Sequence, residues 1–279
     1  ISGVNVRFVG DRYPMYVSAY YHIPKSKIKH MGIARYVRHA PETLRMISGS
    51  KLIFFYEENF IGELVERLCE NFDIDVRLEK RPLVDLPARV QAEQISKGAE
   101  PIAASLLKPS GKEKGNSHLN AMDINGKRCE YTNNLSIWLS KISLTAEAAA
   151  EYAVSNCPVA WVDIALAKNN FTRQNWNFSK IDWNPQSRLL HYGSAMQYLG
   201  QRLPLSAGFL QADRQHWSTI SECFQEELAT LQHDGYPHDE ETILSHVVRK
   251  YPDMFECIGQ PFRGRIGRLK YYYNRIFCG

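Results

Sequence analysis

The chain has 279 residues, 44% hydrophobic and 23% charged, with a formal net charge of +4. That composition is ordinary for a folded, water-soluble protein with room for a large core, and it excludes disordered and collagen-like classes. No apolar run approaches the roughly 18 residues of a membrane span.

Elements are read in chain order from apolar spacing and turn residues. Tyr16 to Ile23 predicts a first strand, closed by Pro24, and a short basic segment follows from Lys25 to Lys29. A helix is expected from Arg35 to Ile47, ending at Gly49. Lys51 to Glu57 has the length and aromatic content of a strand buried on both faces, and Ile61, Leu64, Val65 and Leu68 then recur at helical spacing. Ile74 to Leu78 alternates as another strand, so this part reads as a βαβ unit with short joints. The polar region from Lys108 to Asn134 predicts a long loop of the kind that serves enzymes as a lid or acceptor flap. Leu135 to Ser155 predicts a helix with an alanine-rich centre. The strand-length run from Pro158 to Leu166 follows, then a polar loop from Lys168 to Ser187 and an apolar element from Leu203 to Leu210. His216 to Leu231 is amphipathic, with Trp217, Ile220, Phe224, Leu228 and Leu231 on one side. A last helix from Asp239 to Lys250 must stop near Pro252. With no internal repeat and no linker, the expected organisation is one α/β domain over residues 1–260 and a tail over residues 261–279.

That tail carries Arg263, Arg265, Arg268, Lys270 and Arg275 and no acid, which leaves the rest of the chain close to neutral. A uniformly basic nucleic-acid binder is therefore not expected. Basic residues interleaved with Tyr271, Tyr272, Tyr273 and Phe277 suit either a solvated helix face or contact with an anionic membrane surface. The six cysteines form no C-x-x-C pair and read as reduced thiols. The N-terminus lacks a signal-peptide pattern, so the expected location is cytoplasmic, peripheral at the inner membrane face if the tail binds there. The first residue is Ile1, and the chain reads as processed or cut from a longer one.

The stretch from Pro158 to Leu166 is the most informative. It places one carboxylate, Asp163, in an otherwise apolar run. An unpaired charge out of water costs several kcal/mol, so Asp163 is expected where the strand emerges, at the edge where open α/β sheets bind ligands. Dinucleotide-binding, Walker, nucleophile-elbow and zinc-protease motifs are all absent from the chain.

Several stretches together resemble a known family. They are Ser18-Ala19-Tyr20-Tyr21, Phe54 to Glu57, Ile137 to Lys141, Ala160 to Ala165, His191-Tyr192-Gly193, Leu205 to Phe209 with Trp217 beyond, and His238 to Thr242. In order and spacing they resemble the HtrL/YibB-like family of bacterial glycosyltransferases, over about residues 16–258. The resemblance implies a GT-A-like (Rossmann-like) fold, a mostly parallel mixed sheet flanked by helices. It implies transfer of a sugar from a nucleotide-sugar donor, UDP-linked before GDP-linked, to a glycan or lipid-linked acceptor in surface polysaccharide synthesis.

By the same resemblance Asp163 holds ribose hydroxyls or a divalent cation, Mn²⁺ or Mg²⁺, against the diphosphate. Ala165 stands where the second Asp of the D-x-D pattern would be and sets this chain apart from it. Lys141 falls on the donor side, where its ammonium, with Asp163, is expected to anchor the diphosphate; Gly208 lets the backbone approach the donor sugar, and Tyr20 and Tyr21 lie where the nucleobase is held. His191 is a candidate phosphate or metal ligand, as is His238. Asp239 or Glu240 is expected beside the donor sugar as the catalytic acid or base, with Glu241 as an alternative carrier. Each position has a plain structural alternative: a strand end, an exposed helix start, a bulge, a helix cap or core packing. Retaining and inverting transfer both stay open. The rival function is a nucleotide- or carbohydrate-binding domain with a degenerate metal motif, and a nucleotidyltransferase or phosphohydrolase is the third option.

Overall fold

The computed structural model describes residues 14–23, 33–99, 128–154, 157–169, 188–194 and 196–259. The expectations placed on 24–32, on most of the polar stretches 100–127 and 170–187, and on the tail 261–279 lie outside these residues.

A seven-stranded sheet runs through the described residues. Strand β1 (Met15–Tyr20) pairs in parallel with β2 (Lys51–Tyr56), and β2 pairs in parallel with β3 (Asp75–Lys80). The links are helix α1 (Ile33–Met46) and helix α2 (Asn59–Glu70), so the predicted βαβ unit is present as β2-α2-β3, and β1 and α1 extend it at the front. The turn from α1 into β2 needs a left-handed residue, and Gly49 supplies it at φ 74°. After β3 the chain forms α3 (Arg89–Gly98) and the long helix α4 (Arg128–Tyr152), then returns as β4 (Pro158–Val162) on the other side of β1. Strand order therefore reverses between β1 and β4.

Beyond β4 the sheet becomes mixed. β5 (Leu189–Tyr192) is followed by a two-stranded hairpin of β6 (Gln197–Tyr198) and β7 (Gln201–Arg202), then by β8 (Ser206–Asp213). β8 runs antiparallel to both β4 and β5, with a register shift between His191 and Tyr192. Helices α5 (Arg214–Leu231) and α6 (Glu240–Lys250) precede β9 (Phe255–Gly259), which closes the order β3-β2-β1-β4-β8-β5-β9. Six strands share one direction and β8 opposes them, a mostly parallel mixed α/β sheet as expected.

Both faces are covered, as strands apolar on both sides require. On one face Trp161, Leu210, Leu135, Leu139, Ile142, Trp217, Phe224 and Ile243 join α3, α4, α5 and α6 to the sheet. On the other, Tyr16, Tyr20, Phe54, Leu44, Ile61, Val162 and Phe209 pack under α1 and α2. One expectation is corrected: Arg128 to Asn134 are not loop but the first turns of α4. The elements α3, β5 and β9 are additional to those read from the sequence. The polar start of α4 stays helical because its side chains bond within the layer. Asn134 donates to the Glu130 carbonyl at 2.8 Å, Ser136 to the Thr132 carbonyl at 2.8 Å, and Thr132 to Ser96 at 2.7 Å.

Candidate functional site

Asp163 is the first residue beyond β4, and its own N–H still donates to Gly208 O at 2.9 Å, one rung past the strand. Being two residues after Trp161, it leaves the sheet on the same face, towards α4. The Trp161 indole N–H donates to Asp163 Oδ1 at 2.9 Å. Lys141, midway along α4, reaches the same oxygen with its Nζ at 2.9 Å. Its ammonium also donates to Glu240 Oε1 at 2.8 Å and stands 5.7 Å from the centre of the Trp161 ring.

Lys141 and Glu240 are each 4% exposed, and the Asp163 side chain is 27% exposed. Asp163 is thus where the cluster opens to solvent. Burial pushes the Lys141 ammonium down, but the Asp163 and Glu240 carboxylates outweigh it and hold it above the ordinary lysine range. Lys141 therefore stays charged throughout the working pH range. Glu240 Oε2 is buried and makes no hydrogen bond.

Helix α6 begins at this point. Asp239 is its N-cap and accepts from the N–H groups of Glu241 and Thr242 at 3.1 Å each, while Thr242 Oγ1 accepts from Asp239 N–H at 2.9 Å. These reciprocal contacts form a capping box and satisfy three otherwise orphaned donors. Glu241 Oε1 accepts the Ala207 N–H at 2.9 Å and so pins α6 to β8. Asp239 and Glu241 hold the helix start, and Glu240 between them reaches Lys141.

The other candidates fall as follows. Gly208 lies against Asp163: a Cβ there would stand 3.7 Å from Asp163 Oδ2 and 2.9 Å from Leu166 Cδ1. Ala165 is buried in the turn beyond Asp163. Tyr20 ends β1 on the opposite face of the sheet from Lys141, with its ring 4.1 Å from that of Tyr36. His191 is buried in β5 opposite Leu210, with its Nδ1 3.2 Å from Tyr192 O. Burial lowers its pKa, with the Tyr192 carbonyl opposing. His238 lies between Asp234 Oδ2 at 2.9 Å and Thr242 Oγ1 at 3.1 Å, supporting the α6 cap. Lys141, Asp163, Gly208 and Glu240 are brought together, with Asp239 beside them, while no contact joins Tyr20 or His191 to that group. Trp161 also belongs to the site and had no sequence signal of its own, while Glu241, expected as an alternative carrier of the catalytic role, bonds to the Ala207 N–H.

A divalent cation fits this arrangement poorly. Asp163 Oδ1 already receives an ammonium and an indole N–H, so a metal bound through it would face Lys141 at close range. Among the described residues no group of three or more His, Cys, Asp or Glu is gathered as a metal site would be. No helix among them is long and apolar enough to cross a membrane.

No protein-family model matches the chain, and no curated protein sequence does. Among solved structures the chain is similar to the glycosyltransferase GlyE of Streptococcus pneumoniae TIGR4, at 9% identity and TM-score 0.42, over 88% of this chain and 45% of GlyE. The apo form of GlyE gives 10% identity and TM-score 0.43, over 96% of this chain and 51% of that one. The apo form of mouse xyloside xylosyltransferase 1 gives 11% identity and TM-score 0.43, over 88% and 84% of the two chains. The chain thus spans about half the length of GlyE. Likeness at this level assigns neither donor nor acceptor.

Proposed function

We propose that this chain is a GT-A type glycosyltransferase related to the HtrL/YibB-like enzymes, moving a sugar from a nucleotide-sugar donor, UDP-linked in preference, to a glycan or lipid-linked acceptor. The observation that carries the reading is the Lys141, Asp163 and Glu240 contact at the carboxyl end of β4, beside the point where strand order reverses. Ligands of open α/β sheets bind in the crevice at such a point.

The charge of the cluster indicates which part of the donor it meets. Transfer breaks the bond from the anomeric carbon to the diphosphate, the electron pair leaves with the diphosphate, and the sugar ring gains positive character. A pre-ordered pair of carboxylates suits sugar hydroxyls and that developing positive charge. A diphosphate resting directly on Glu240 would be repelled. Glu240 Oε2, buried and without a partner, is the proposed acceptor of a hydroxyl proton. Asp239 is left to cap α6. Lys141 holds both carboxylates in place, and Gly208 keeps the space beside Asp163 clear. No step is routed through a metal.

The test is release of nucleoside diphosphate from a panel of UDP- and GDP-sugars with acceptor glycans, read by chromatography. Asp163→Ala should abolish release while the circular dichroism spectrum stays native. Near-normal turnover by that variant would remove Asp163 from the mechanism. Release of pyrophosphate or phosphate would replace the reading with nucleotidyl transfer or phosphohydrolysis. Saturable UDP binding with no turnover of any donor would favour the second reading, a nucleotide-binding domain, for which the buried Ala165 in place of a second acid speaks.

A further inference from the structure

Asp163 has a cation within the chain itself. Lys141 Nζ lies 2.9 Å from Asp163 Oδ1 and 2.8 Å from Glu240 Oε1, so one ammonium bridges carboxylates that follow β4 and open α6. Joining carboxylates from separate segments is what a divalent metal does in many enzyme sites. The bridge is also enclosed. Lys141, Glu240 and Trp161 are all buried, and the Trp161 ring stands 5.7 Å from the ammonium, a range at which an indole face attracts a cation.

These contacts use the oxygen that a metal on Asp163 would need. A carboxylate oxygen offers about two lone-pair positions. On Asp163 Oδ1 the Lys141 ammonium takes one and the Trp161 indole N–H, at 2.9 Å, takes the other. An ammonium has donors and no acceptor, so it cannot join a metal's coordination sphere. A dication on the other Asp163 oxygen would still share one carboxylate with that ammonium, and like charges at such range repel strongly. The turn beyond supplies no replacement ligand. Ile164, Ala165, Leu166 and Ala167 are all buried and apolar, with Ala165 where the D-x-D pattern has its second acid.

We propose that Lys141 is the resident cation of this site, held on Asp163 and Glu240 in place of a divalent metal, and that the chain binds its nucleotide-sugar without one. Trp161 is the positioning residue: its N–H and ring fix the carboxylate and the ammonium against each other. The same geometry carries a converse. Removing the ammonium leaves two carboxylates side by side, and these should then accept a divalent ion. The consequence for donor binding rests on the nucleotide-sugar reading above, whereas the consequence for metal binding stands apart from it.

The experiment is titration of the full chain with Mn²⁺, read by the electron spin resonance signal of the unbound ion and by the melting temperature. The wild-type chain and Asp163→Asn should take up Mn²⁺ equally. Lys141→Ala should gain an additional site, at least about tenfold tighter than isolated surface carboxylates provide, and its melting temperature should rise with the metal. Adding Asp163→Asn to Lys141→Ala should abolish that gain. In calorimetry the wild-type chain should bind UDP or GDP with the same affinity in Mn²⁺ as in EDTA. Mn²⁺ uptake by the wild type that Asp163→Asn removes would overturn the inference. So would a folded Lys141→Ala with no added site, or a nucleotide affinity raised about tenfold or more by Mn²⁺. If Lys141→Ala does not fold, the wild-type comparisons decide. Binding of neither nucleotide in either buffer would overturn the nucleotide-sugar reading and leave the resident cation to be judged by the Mn²⁺ titration.

Discussion

Lys141 and Glu240 meet at 2.8 Å across 99 positions of sequence, and the contact ties the middle of α4 to the first turn of α6 at the carboxyl edge of the sheet. Lys141→Met removes the ammonium that the buried Glu240 carboxylate and the partly exposed Asp163 carboxylate share. Breaking a buried pair from one side costs about 3–5 kcal/mol, and that loss is expected in urea unfolding. Adding Glu240→Gln should recover part of it, since fewer charges are then stranded. A cost for Lys141→Met below about 1 kcal/mol, the range of exposed pairs, would show that water reaches the cluster freely.

The adjacent acids at the start of α6 separate structure from chemistry. Asparagine caps a helix about as well as aspartate, so Asp239→Asn should keep both fold and turnover, while Asp239→Ala should lose about 1 kcal/mol of stability. Glu240→Gln keeps shape and removes a base, so turnover should fall at least about a hundredfold with the melting temperature little changed. Turnover lost in Asp239→Asn and retained in Glu240→Gln would transfer the chemistry to Asp239.

Gly208 tests the space beside Asp163. An added Cβ would press on Leu166 Cδ1 at 2.9 Å, the end of a buried side chain that must shift, and touch Asp163 Oδ2 at ordinary contact distance. Gly208→Ala should therefore cost about 1–3 kcal/mol of stability, the usual range of overpacking. Its effect on donor affinity should be larger than its effect on melting. Equal, small effects on both would mean that the donor does not approach β8 there.

Much of this arrangement was legible in the residues. Strands buried on both faces, such as Lys51 to Tyr56, advertise themselves by continuous apolar character, and Asp163 was conspicuous because nothing else in its run is charged. The N-cap alternative for Asp239 was visible too, since an acid before an apolar helix is a capping signal. What was hidden depends on distance in sequence. Lys141 has partners 22 and 99 residues away, and no local pattern encodes that. The first turns of α4 were hidden for another reason. Thr132, Asn134 and Ser136 are buried, and their polarity, ordinarily a loop signal, is spent on neighbouring carbonyls and on Ser96. The strands β5 and β9 have four and five residues, too few for alternation to stand out.

The aromatic and histidine group behind the α6 cap makes stability depend on acidity. His238 lies between Asp234 and Thr242, and His246 Nε2 is 2.9 Å from the Tyr198 hydroxyl. The rings of Tyr198, Tyr236, His238 and His246 pack together. Burial lowers the pKa of His238 and outweighs the opposing pull of Asp234, and His246 adds to the lowering. Burial, then Arg249, lowers that of His246 against Glu227 and Asp234. With both folded values below the ordinary 6.5, the unfolded chain takes up protons first as the pH falls. Stability is therefore flat above about 6.5 with respect to these groups and declines below it, by at most about 1.4 kcal/mol per pH unit for each histidine. Urea unfolding at pH 7.5 and pH 5.5 should show this decline, and it should shrink in a His238→Gln, His246→Gln double variant. An equal decline in the two proteins would assign the acid sensitivity to other groups.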